Sequence, residues 1–401
     1  MRELTDALVT FLLSPQAGAA LDALTARPLP KSETLAVLTT LRREFSPAEA
    51  AALLDQARLR QRARTKFSRA DSMFFTDEAL QQASGEAIAS YRAQRYARFA
   101  RVADLGCGIG GDTINLARAG PLMAALDLDP IRLRLARANA AAYGVAEQVL
   151  FVQTDWTIAS IEIDAAFADP SRRIEGRRLF SLHVMQPPLA ALLAVQARLP
   201  TLGVKVAPGV ADEEVPRDSE VEFISERGTL KEAVLWFGRL RTRASRRATL
   251  LPAGASLTSE DPVEPRPVGG PQAVLYEPDP AVIRASLVEH LGTALGAALL
   301  DPAIAYLTAG QFVATPFARA WRVVEDAPFN LKALNRRLQA LDANVIAVKK
   351  RGAPIEPERF RRRLKSTPDG RPLIVFVTRV EGRPWMVLAE ETNMRADEEP
   401  G

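Results

Sequence analysis

Short apolar runs alternate with helical repeats through the middle of the chain, between residues 101 and 210. The apolar runs read RVADL, LMAALDL, QVLFVQTD, IDAAFADP and LGVKVAPG, and segments with helical spacing such as DPIRLRLARANAAAYG lie between them. Strands that alternate with helices pair in parallel and carry the helices on both faces of the sheet. The pattern therefore predicts an α/β fold built on a parallel sheet.

The flanking segments have other patterns. Apolar residues recur at helical spacing through residues 1–65 and again from Pro280 to Leu307, whereas residues 251–271 are rich in Pro, Gly and Ser and predict a loop or linker. A basic segment with mixed α and β signals continues to the end. We therefore expect three parts: a helical region (1–72), a central α/β domain (73–275), and a helical connector with an α+β domain (276–401).

Composition excludes several classes of protein. With 401 residues, 47% hydrophobic and 25% charged, the chain can form more than one cored domain. No apolar run approaches the roughly 20 residues of a membrane helix, and Glu3 and Asp6 stand where a signal peptide has positive charge, so we expect a cytoplasmic protein that does not contact membranes. Cys107 is the single cysteine and His183 and His290 are far apart, so we expect no disulfide and no metal site.

A glycine-rich turn follows the first predicted strand. RVADL leads directly into GCGIGG and then into the helical segment TINLARAG. Such a turn presents backbone N–H groups and a helix N-terminus to a ligand, which is typical of a nucleotide-like site, although similar turns also simply join a strand to a helix. Asp127 follows about 20 residues later at a strand end, where a carboxylate can accept both hydroxyls of a ribose. Asp129 is suited to cap the helix that begins at Pro130.

Acidic residues stand at the ends of the first four predicted strands: Asp104, Asp127, Asp155 and Asp169. In an open α/β sheet the carboxyl ends of the strands form one crevice, so we expect these side chains to converge. We expect Asp155 to accept an exocyclic amino group and Trp156 to lie beside an aromatic ring. The alternative is that the four acids only form turns.

These motifs resemble a known family in their order and spacing. DLGCGIGG, ALDLDP, TDW and ADPSRR are similar to motifs I to IV of class I S-adenosylmethionine-dependent methyltransferases, and DLGCGIGGDTINLA with DLDPIRLRLARANAAAYGV resembles the trimethylguanosine-synthase-like members. The whole chain resembles bacterial methyltransferases with a C-terminal THUMP-like domain, including KFSRADSMFFTDEALQQAS, KEAVLW, YEPDPAVIRA and KKRGAPIEPERFRRRLK. The resemblance implies a Rossmann-like core, an N-terminal helical region and a C-terminal α+β THUMP-like domain.

The resemblance also implies S-adenosyl-L-methionine as cofactor. Asp104, Gly106 and Gly108 would hold its methionine end, Asp127 the ribose, and Asp155 with Trp156 the adenine. Cys107 lies inside the glycine turn, where it is also typical of a small packing residue. The predicted cofactor-binding residues are Asp104, Gly106, Cys107, Gly108, Asp127, Leu128, Asp155 and Trp156.

Asp169 and Pro170 stand at the motif IV position, where related nucleic-acid enzymes align the acceptor nitrogen, and we predict that they are catalytic. Those enzymes often have an aromatic residue two places after the proline, whereas this chain has Arg172 followed by Arg173. A guanidinium can also stack on a base or hold a phosphate. Phe74 and Phe75 could supply an aromatic surface for the acceptor, although the run MFF is more typical of core packing.

Charge distribution suggests the acceptor. The net charge of +4 predicts only solubility, but Arg58–Arg69 contains six basic residues and no acid, and Lys332–Arg371 contains twelve basic residues against four acids. One such run is typically a solvated helix face, whereas two runs flanking an enzyme-like centre favour a phosphate-rich partner. The predicted RNA-contacting residues of the second run are Lys349, Lys350, Arg351, Arg361, Arg362 and Arg363.

THUMP domains belong to RNA-modifying enzymes, so the resemblance implies an RNA methyltransferase that acts on structured tRNA or rRNA by direct transfer to a base nitrogen. Two alternatives remain open at this point. One is a methyltransferase for a small molecule or a protein, and the other is a non-catalytic RNA-binding protein that retains the cofactor pocket.

Overall fold

The protein divides into two compact units. The computed structural model describes residues 4–158, 162–170, 173–174, 177–178 and 185–391. The first unit comprises Met1–Ser219 with Ala233–Thr242, and the second comprises Glu220–Glu232 with Arg243–Gly401. Across the described residues, no single helix is long and apolar enough to cross a membrane, although Asp6–Leu12 and Pro15–Thr25, joined by a 71° bend, pass that test as a pair.

Helices open the first unit: α1 (Asp6–Leu12), α2 (Pro15–Thr25), α3 (Thr34–Leu41), α4 (Pro47–Ala63), α5 (Asp77–Gln82) and α6 (Glu86–Ala93). The first four lie within residues 1–65, where the apolar spacing predicts helices. Helix α4 starts with a capping box, because Ser46 Oγ accepts from Glu49 N at 3.3 Å and Glu49 Oε2 accepts from Ser46 N at 2.9 Å. Leu12, Leu21 and Leu53 are fully buried in one apolar cluster, so the early helices form a core of their own.

Parallel strands form the centre of the first unit, which confirms the predicted sheet. In chain order the strands are β1 (Arg101–Leu105), β2 (Leu122–Asp127), β3 (Val149–Gln153), β4 (Ala165–Ala168), β5 (Arg173–Ile174), β6 (Arg177–Arg178) and β7 (Leu202–Val206). The helices among them are α7 (Gly111–Arg118), α8 (Pro130–Ala142) and α9 (Leu189–Arg198). The sheet order is β3-β2-β1-β4-β7, and β5 pairs with β6 alone. The order reverses between β1 and β4, which is where open α/β sheets bind ligands.

The second unit begins with a small group of strands, and the chain passes between the two units inside β9. The strands are β8 (Glu220–Glu226), β9 (Thr229–Trp236), β10 (Arg246–Leu251) and β11 (Ala255–Thr258). Within this unit β10 pairs in parallel with β8 and antiparallel with β11. Residues 233–236 of β9 lie in the first unit, where they pair antiparallel with β7. The segment 251–271, which was predicted to be a loop or linker, contains the strand β11 and is otherwise largely irregular.

A larger sheet follows in the second unit. Its strands are β12 (Val274–Pro278), β13 (Ala298–Asp301), β14 (Ile304–Ala309), β15 (Ala318–Pro328), β16 (Ala343–Lys350), β17 (Arg371–Val380) and β18 (Arg383–Glu391), in the order β13-β14-β12-β15-β18-β17-β16. The helices are α10 (Pro280–Arg284), α11 (Val288–Leu295), α12 (Leu331–Ala340) and α13 (Pro357–Arg361). Ile374 and Phe376 belong to one apolar cluster and Leu373 and Val375 to another, so successive residues of β17 face two cores.

The predicted helix from Pro280 to Leu307 is only half right. Helices α10 and α11 occupy its first part, but α11 ends at Leu295 and is capped by Gly296, which has a left-handed φ of 61°. The rest forms the antiparallel strands β13 and β14. A short apolar run such as ALLD is compatible with a buried strand or a buried helix, and apolar spacing alone does not separate the two.

Candidate functional site

A cavity of about 860 Å³ opens at the carboxyl ends of β1, β2 and β4 in the first unit. Its lining includes all eight predicted cofactor residues and both predicted catalytic residues: Asp104, Gly106, Cys107, Gly108, Asp127, Leu128, Asp155, Trp156, Asp169 and Pro170. The expected convergence of the strand-end acids is therefore present. A volume of this order is typical of a site for a small molecule or cofactor.

Residues Gly106–Gly108 of the glycine turn line this cavity. The N–H groups of Gly106 and Cys107 both donate to the carbonyl of Leu126, at 2.9 and 2.8 Å, which joins the turn to the end of β2. Gly106 has a φ of +82°, and a Cβ at this position would lie 3.4 Å from Trp156 Nε1. Glycine is therefore suited to this position both by its backbone conformation and by the close approach of the indole.

Two backbone donors orient the carboxylate of Asp127. Its Oδ2 accepts from Gly108 N at 2.9 Å and its Oδ1 accepts from Asp129 N at 3.0 Å. A carboxylate oxygen has a second lone pair, so both oxygens can still accept from a diol. Asp129 Oδ1 in turn accepts from Ile131 N at 2.8 Å, which confirms the predicted cap of α8.

Asp104 is almost wholly buried, and its Oδ2 accepts from Thr113 Oγ1 at 2.5 Å. Burial, followed by the charge of nearby Asp112, raises the pKa of Asp104 to about 8. Asp112 itself is ion-paired with Arg92, whose guanidinium lies 4.8 Å from the ring centroid of Phe167. At neutral pH and without a cationic ligand, Asp104 therefore favours its protonated form.

The third strand end supplies a different environment. The carboxylate of Asp155 accepts from the N–H and the hydroxyl of Thr157, at 2.9 and 2.6 Å, and these hydrogen bonds lower the pKa of Asp155. Trp156 is buried beside the glycine turn, whereas 64% of Leu128 is exposed. The cavity therefore combines an ionised carboxylate with apolar surfaces at this end.

Lys205 is a site residue that the sequence reasoning missed. It lies on β7, it is 2% exposed, and its Nζ is 2.5 Å from Asp169 Oδ2. The signal was present in LGVKV. A lysine inside an otherwise apolar strand needs a partner that compensates for the burial of its ammonium group. Pro170 follows Asp169 on the cavity wall.

The predicted aromatic surface is not available in full. Phe75 is fully buried, and its N–H and carbonyl both bond to the side chain of Gln56, so its predicted contact with an acceptor is wrong. Phe74 is partly buried against the N-terminal apolar cluster, with the Arg60 guanidinium 5.0 Å from its ring centroid. Phe74 is not among the residues that line the cavity. Phe75 therefore serves packing, while contact of the partly buried Phe74 with an acceptor stays a prediction.

Two further predicted residues follow Pro170. Arg172 lies outside the described residues, and Arg173 begins the short strand β5. Within the ranges that the structure covers, no group of three or more His, Cys, Asp or Glu side chains is arranged to hold a metal ion.

The N-terminal basic run contributes to the fold of the first unit. Arg60 is 3% exposed and donates to the carbonyl of Met73 at 2.9 Å, and Lys66 Nζ donates to the carbonyls of Leu80 and Ala83, both at 2.8 Å. The other four basic residues also have polar partners: Arg58 with Thr34, Arg62 with Asp77, Arg64 with Asp71 and Arg69 with Ala142. Arg60 and Lys66 therefore bind neighbouring segments, whereas Arg62, Arg64 and Arg69 are exposed, and their contact with a phosphate-rich partner stays a prediction.

The C-terminal basic run is divided. Lys349 is ion-paired with Glu277 and lies 4.5 Å from the ring centroid of Trp321, and Arg351 lies 3.9 Å from the same carboxylate. The remaining predicted positions are exposed and form no ion pair with any described carboxylate: Lys350, Arg361, Arg362 and Arg363. We call these four residues the cation cluster.

The backbone of the three arginines in the cation cluster is well supported. Phe360, the residue before them, is 4% exposed and packs into an apolar core of the second unit. Asn335 on α12 donates to the carbonyl of Arg363 at 3.0 Å and accepts from Lys365 N at 2.8 Å. These contacts fix the chain on both sides of Arg361 and Arg362 and leave the guanidinium groups in solvent.

Comparisons with known proteins agree with this geometry. Residues 99–186 match the model of the RNA cap guanine-N2 methyltransferase family, residues 318–391 match a THUMP domain-like model, and residues 6–63 match a domain of unknown function, DUF8688. A crystal structure of a presumed methyltransferase from Porphyromonas gingivalis W83 is 18% identical, covers 92% of this chain and 100% of that chain, and superposes with a TM-score of 0.74, which shows a shared fold.

A relative of higher identity identifies the family. An uncharacterized S-adenosylmethionine-dependent methyltransferase from Mycobacterium tuberculosis (strain H37Rv) is 38% identical over 313 residues, which cover 76% of this chain and 84% of the relative. The same values hold for the protein from strain CDC 1551. The chain therefore belongs to the S-adenosylmethionine-dependent methyltransferases and carries a THUMP-like domain at its C-terminal end.

Proposed function

We propose that this methyltransferase acts on RNA, either tRNA or rRNA, and that it transfers the methyl group directly to a base nitrogen. The observation that carries the proposal is the cation cluster, which lies within the region matched to the THUMP domain-like model. Exposed cations without carboxylate partners among the described residues attract a polyanion and release its counterions. Lys349 and Arg351 contribute less in this proposal, because both lie beside Glu277.

The residues of the cavity fit S-adenosylmethionine. Asp127 presents two oriented oxygens for the ribose diol, and Asp155 with Trp156 and Leu128 surrounds the adenine. Asp104 and the glycine turn Gly106–Gly108 face the methionine end, where an ammonium group stabilises the ionised form of Asp104. When bound, the cofactor supplies an activated methyl group on its sulfonium.

Asp169 and Pro170 orient the acceptor in this proposal. Direct transfer requires alignment of the acceptor with the methyl carbon and a group that accepts the departing proton. Asp169 lines the cavity and is partly exposed, so its carboxylate suits this role. Arg172 and Arg173, which take the place of an aromatic residue after Pro170, hold a phosphate or stack on the acceptor base.

Methyl transfer into separated cell fractions tests the proposal. The protein is incubated with tritiated S-adenosylmethionine and total cell extract from a strain that lacks the protein, and the products are divided into tRNA, rRNA, protein and small molecules. We expect ribonuclease-sensitive label in tRNA or rRNA and a methylated base by nucleoside mass spectrometry. Label confined to protein or small molecules would exclude the RNA assignment.

A further inference from the structure

We propose that Lys205 is the positioning residue of the methyl-transfer site: it holds the carboxylate of Asp169 in one orientation and keeps it available to accept the acceptor's proton. The inference deepens the proposed function and rests on the role of Asp169 given there. The juxtaposition that carries it is the contact of 2.5 Å between Lys205 Nζ and Asp169 Oδ2.

Lys205 lies in an unusual place for a lysine. Every residue of β7 is buried, and the side chain of Lys205 is only 3% exposed, so its ammonium is almost wholly removed from water. Burying an ammonium is costly unless a charge or hydrogen bond compensates for it. Asp169 is the partner that the described part of the protein provides. The carboxylate of Asp169 therefore compensates for the burial of this ammonium.

Asp169 is the member of the pair that reaches the cavity. Its side chain is 23% exposed and lines the cavity, whereas Lys205 does not. Since the lysine engages Oδ2, Oδ1 remains free of that contact. Lys205 therefore acts from behind the carboxylate and does not touch the acceptor.

The surrounding charges explain why a cation is needed. Strand β1, which pairs with β4, ends at the buried Asp104, whose raised pKa of about 8 reflects burial and the neighbouring acids Asp112, Asp169 and Asp127. On the other side of β4, strand β7 contributes Lys205. The ammonium therefore places a positive charge beside Asp169 within this group of acids and offsets the repulsion among their carboxylates.

The step balances with these residues. The lone pair of the acceptor nitrogen forms the bond to the methyl carbon, the sulfur–carbon bond breaks with its electrons remaining on sulfur, and the nitrogen's proton passes to Asp169. Lys205 exchanges no proton in this step and holds the carboxylate of Asp169 in the orientation from which it accepts the proton. Its contribution therefore belongs to the methyl-transfer step and not to cofactor binding.

Variants of the full chain test the inference. Lys205→Met removes the charge, Lys205→Arg retains it, and Asp169→Asn keeps the shape of the carboxylate without its charge. Lys231→Met is a matched control, because Lys231 is a strand lysine 3.9 Å from the carboxylate of Glu226 and does not line the cavity. We measure cofactor affinity by calorimetry, unfolding midpoints without cofactor, and tritiated methyl transfer into total cell extract.

We expect Lys205→Met to lower kcat about 100-fold, the lower end of the range for loss of a group that takes a proton, with KM and cofactor affinity almost unchanged. Lys205→Arg should recover a large part of the rate, and Lys231→Met should match the wild type. Without cofactor, the unfolding midpoint of the double variant Lys205→Met/Asp169→Asn should be no lower than that of the less stable single variant. Each single variant already breaks the ion pair, so the second substitution removes no further interaction between the two residues.

Wild-type kcat in Lys205→Met, or an equal rate loss in Lys205→Met and Lys205→Arg, would overturn the inference. Additive shifts in the unfolding midpoints would do the same. The fraction that takes up label tests the proposed function separately. Incorporation into protein or small molecules would exclude RNA as the acceptor, while the ratio of variant to wild-type rates would still test Lys205.

Discussion

The backbone N–H of Gly108 donates to Oδ2 of Asp127 across 2.9 Å, and this contact joins the glycine turn after β1 to the carboxylate at the end of β2. Each feature therefore supports the other. The carboxylate fixes the turn, and the turn holds the carboxylate that we propose accepts the ribose diol. Loss of either feature should disturb the part of the cavity where we propose that the adenosine binds.

We expect Asp127→Ala to weaken S-adenosylmethionine binding by about 1–3 kcal/mol, the cost of leaving buried hydrogen-bonding groups unpaired. Isothermal titration measures the change. Asp164→Ala is a suitable control, because Asp164 also accepts from a backbone N–H, that of Arg101 at 2.8 Å, but does not line the cavity. Equal affinities of Asp127→Ala and the wild type would contradict the ribose assignment.

Cofactor binding should depend on pH through Asp104. Its pKa of about 8 in the free protein means that the carboxyl is largely protonated at pH 7. A cationic ligand favours the ionised form, so binding releases a proton and affinity rises with pH up to about 8, by up to about tenfold per unit below that value. Calorimetry between pH 6 and pH 8.5 in buffers of different ionisation enthalpy measures both effects. Asp104→Asn cannot ionise and should lose this dependence. If the affinities of the wild type and of Asp104→Asn changed in parallel with pH, the carboxyl of Asp104 would be excluded as the source of the pH dependence.

The double variant Arg361→Glu/Arg363→Glu should weaken RNA binding and flatten its dependence on salt while cofactor affinity stays constant. The physical reason is that each lost phosphate contact lowers the slope of log K against log salt by about 0.7–0.9. Filter binding at several salt concentrations provides the measurement. Arg42→Glu/Arg43→Glu, on exposed N-terminal positions, matches the change in net charge. An equal loss in both double variants would indicate a general charge effect and not a contact at the cation cluster.

Arg60 should act on stability and not on RNA affinity. It is buried, donates to the carbonyl of Met73 and lies over the ring of Phe74. We expect Arg60→Leu to reduce the free energy of unfolding by about 1–3 kcal/mol, because the carbonyl loses its donor, and to leave the salt slope of RNA binding unchanged. Denaturant unfolding and filter binding are the two measurements. A lower salt slope with unchanged stability would assign Arg60 to the RNA surface instead.

Much of the first unit could be predicted from local pattern. RVADL coincides with β1, and the glycine turn and the strand-end acids line one cavity as expected. These features are readable because a parallel sheet places the carboxyl ends of its strands along one edge whatever the details of packing. The second unit was less readable, since the apolar run after Gly296 was compatible with a helix and became β13 and β14 only through antiparallel pairing.

The sequence by itself determined the fold class, the cofactor motif and the family resemblance, because each depends on residues close together in the chain. Tertiary structure alone decided which charged side chains are buried with a partner and which are exposed to solvent. Arg60 and Arg361 both belong to basic runs, yet one is buried against a carbonyl and the other is exposed. Lys205 and Asp169 are likewise 36 residues apart and meet only because β7 pairs with β4. The partner of a charged side chain depends on strand order and packing, which act over the whole unit, so no local pattern specifies it.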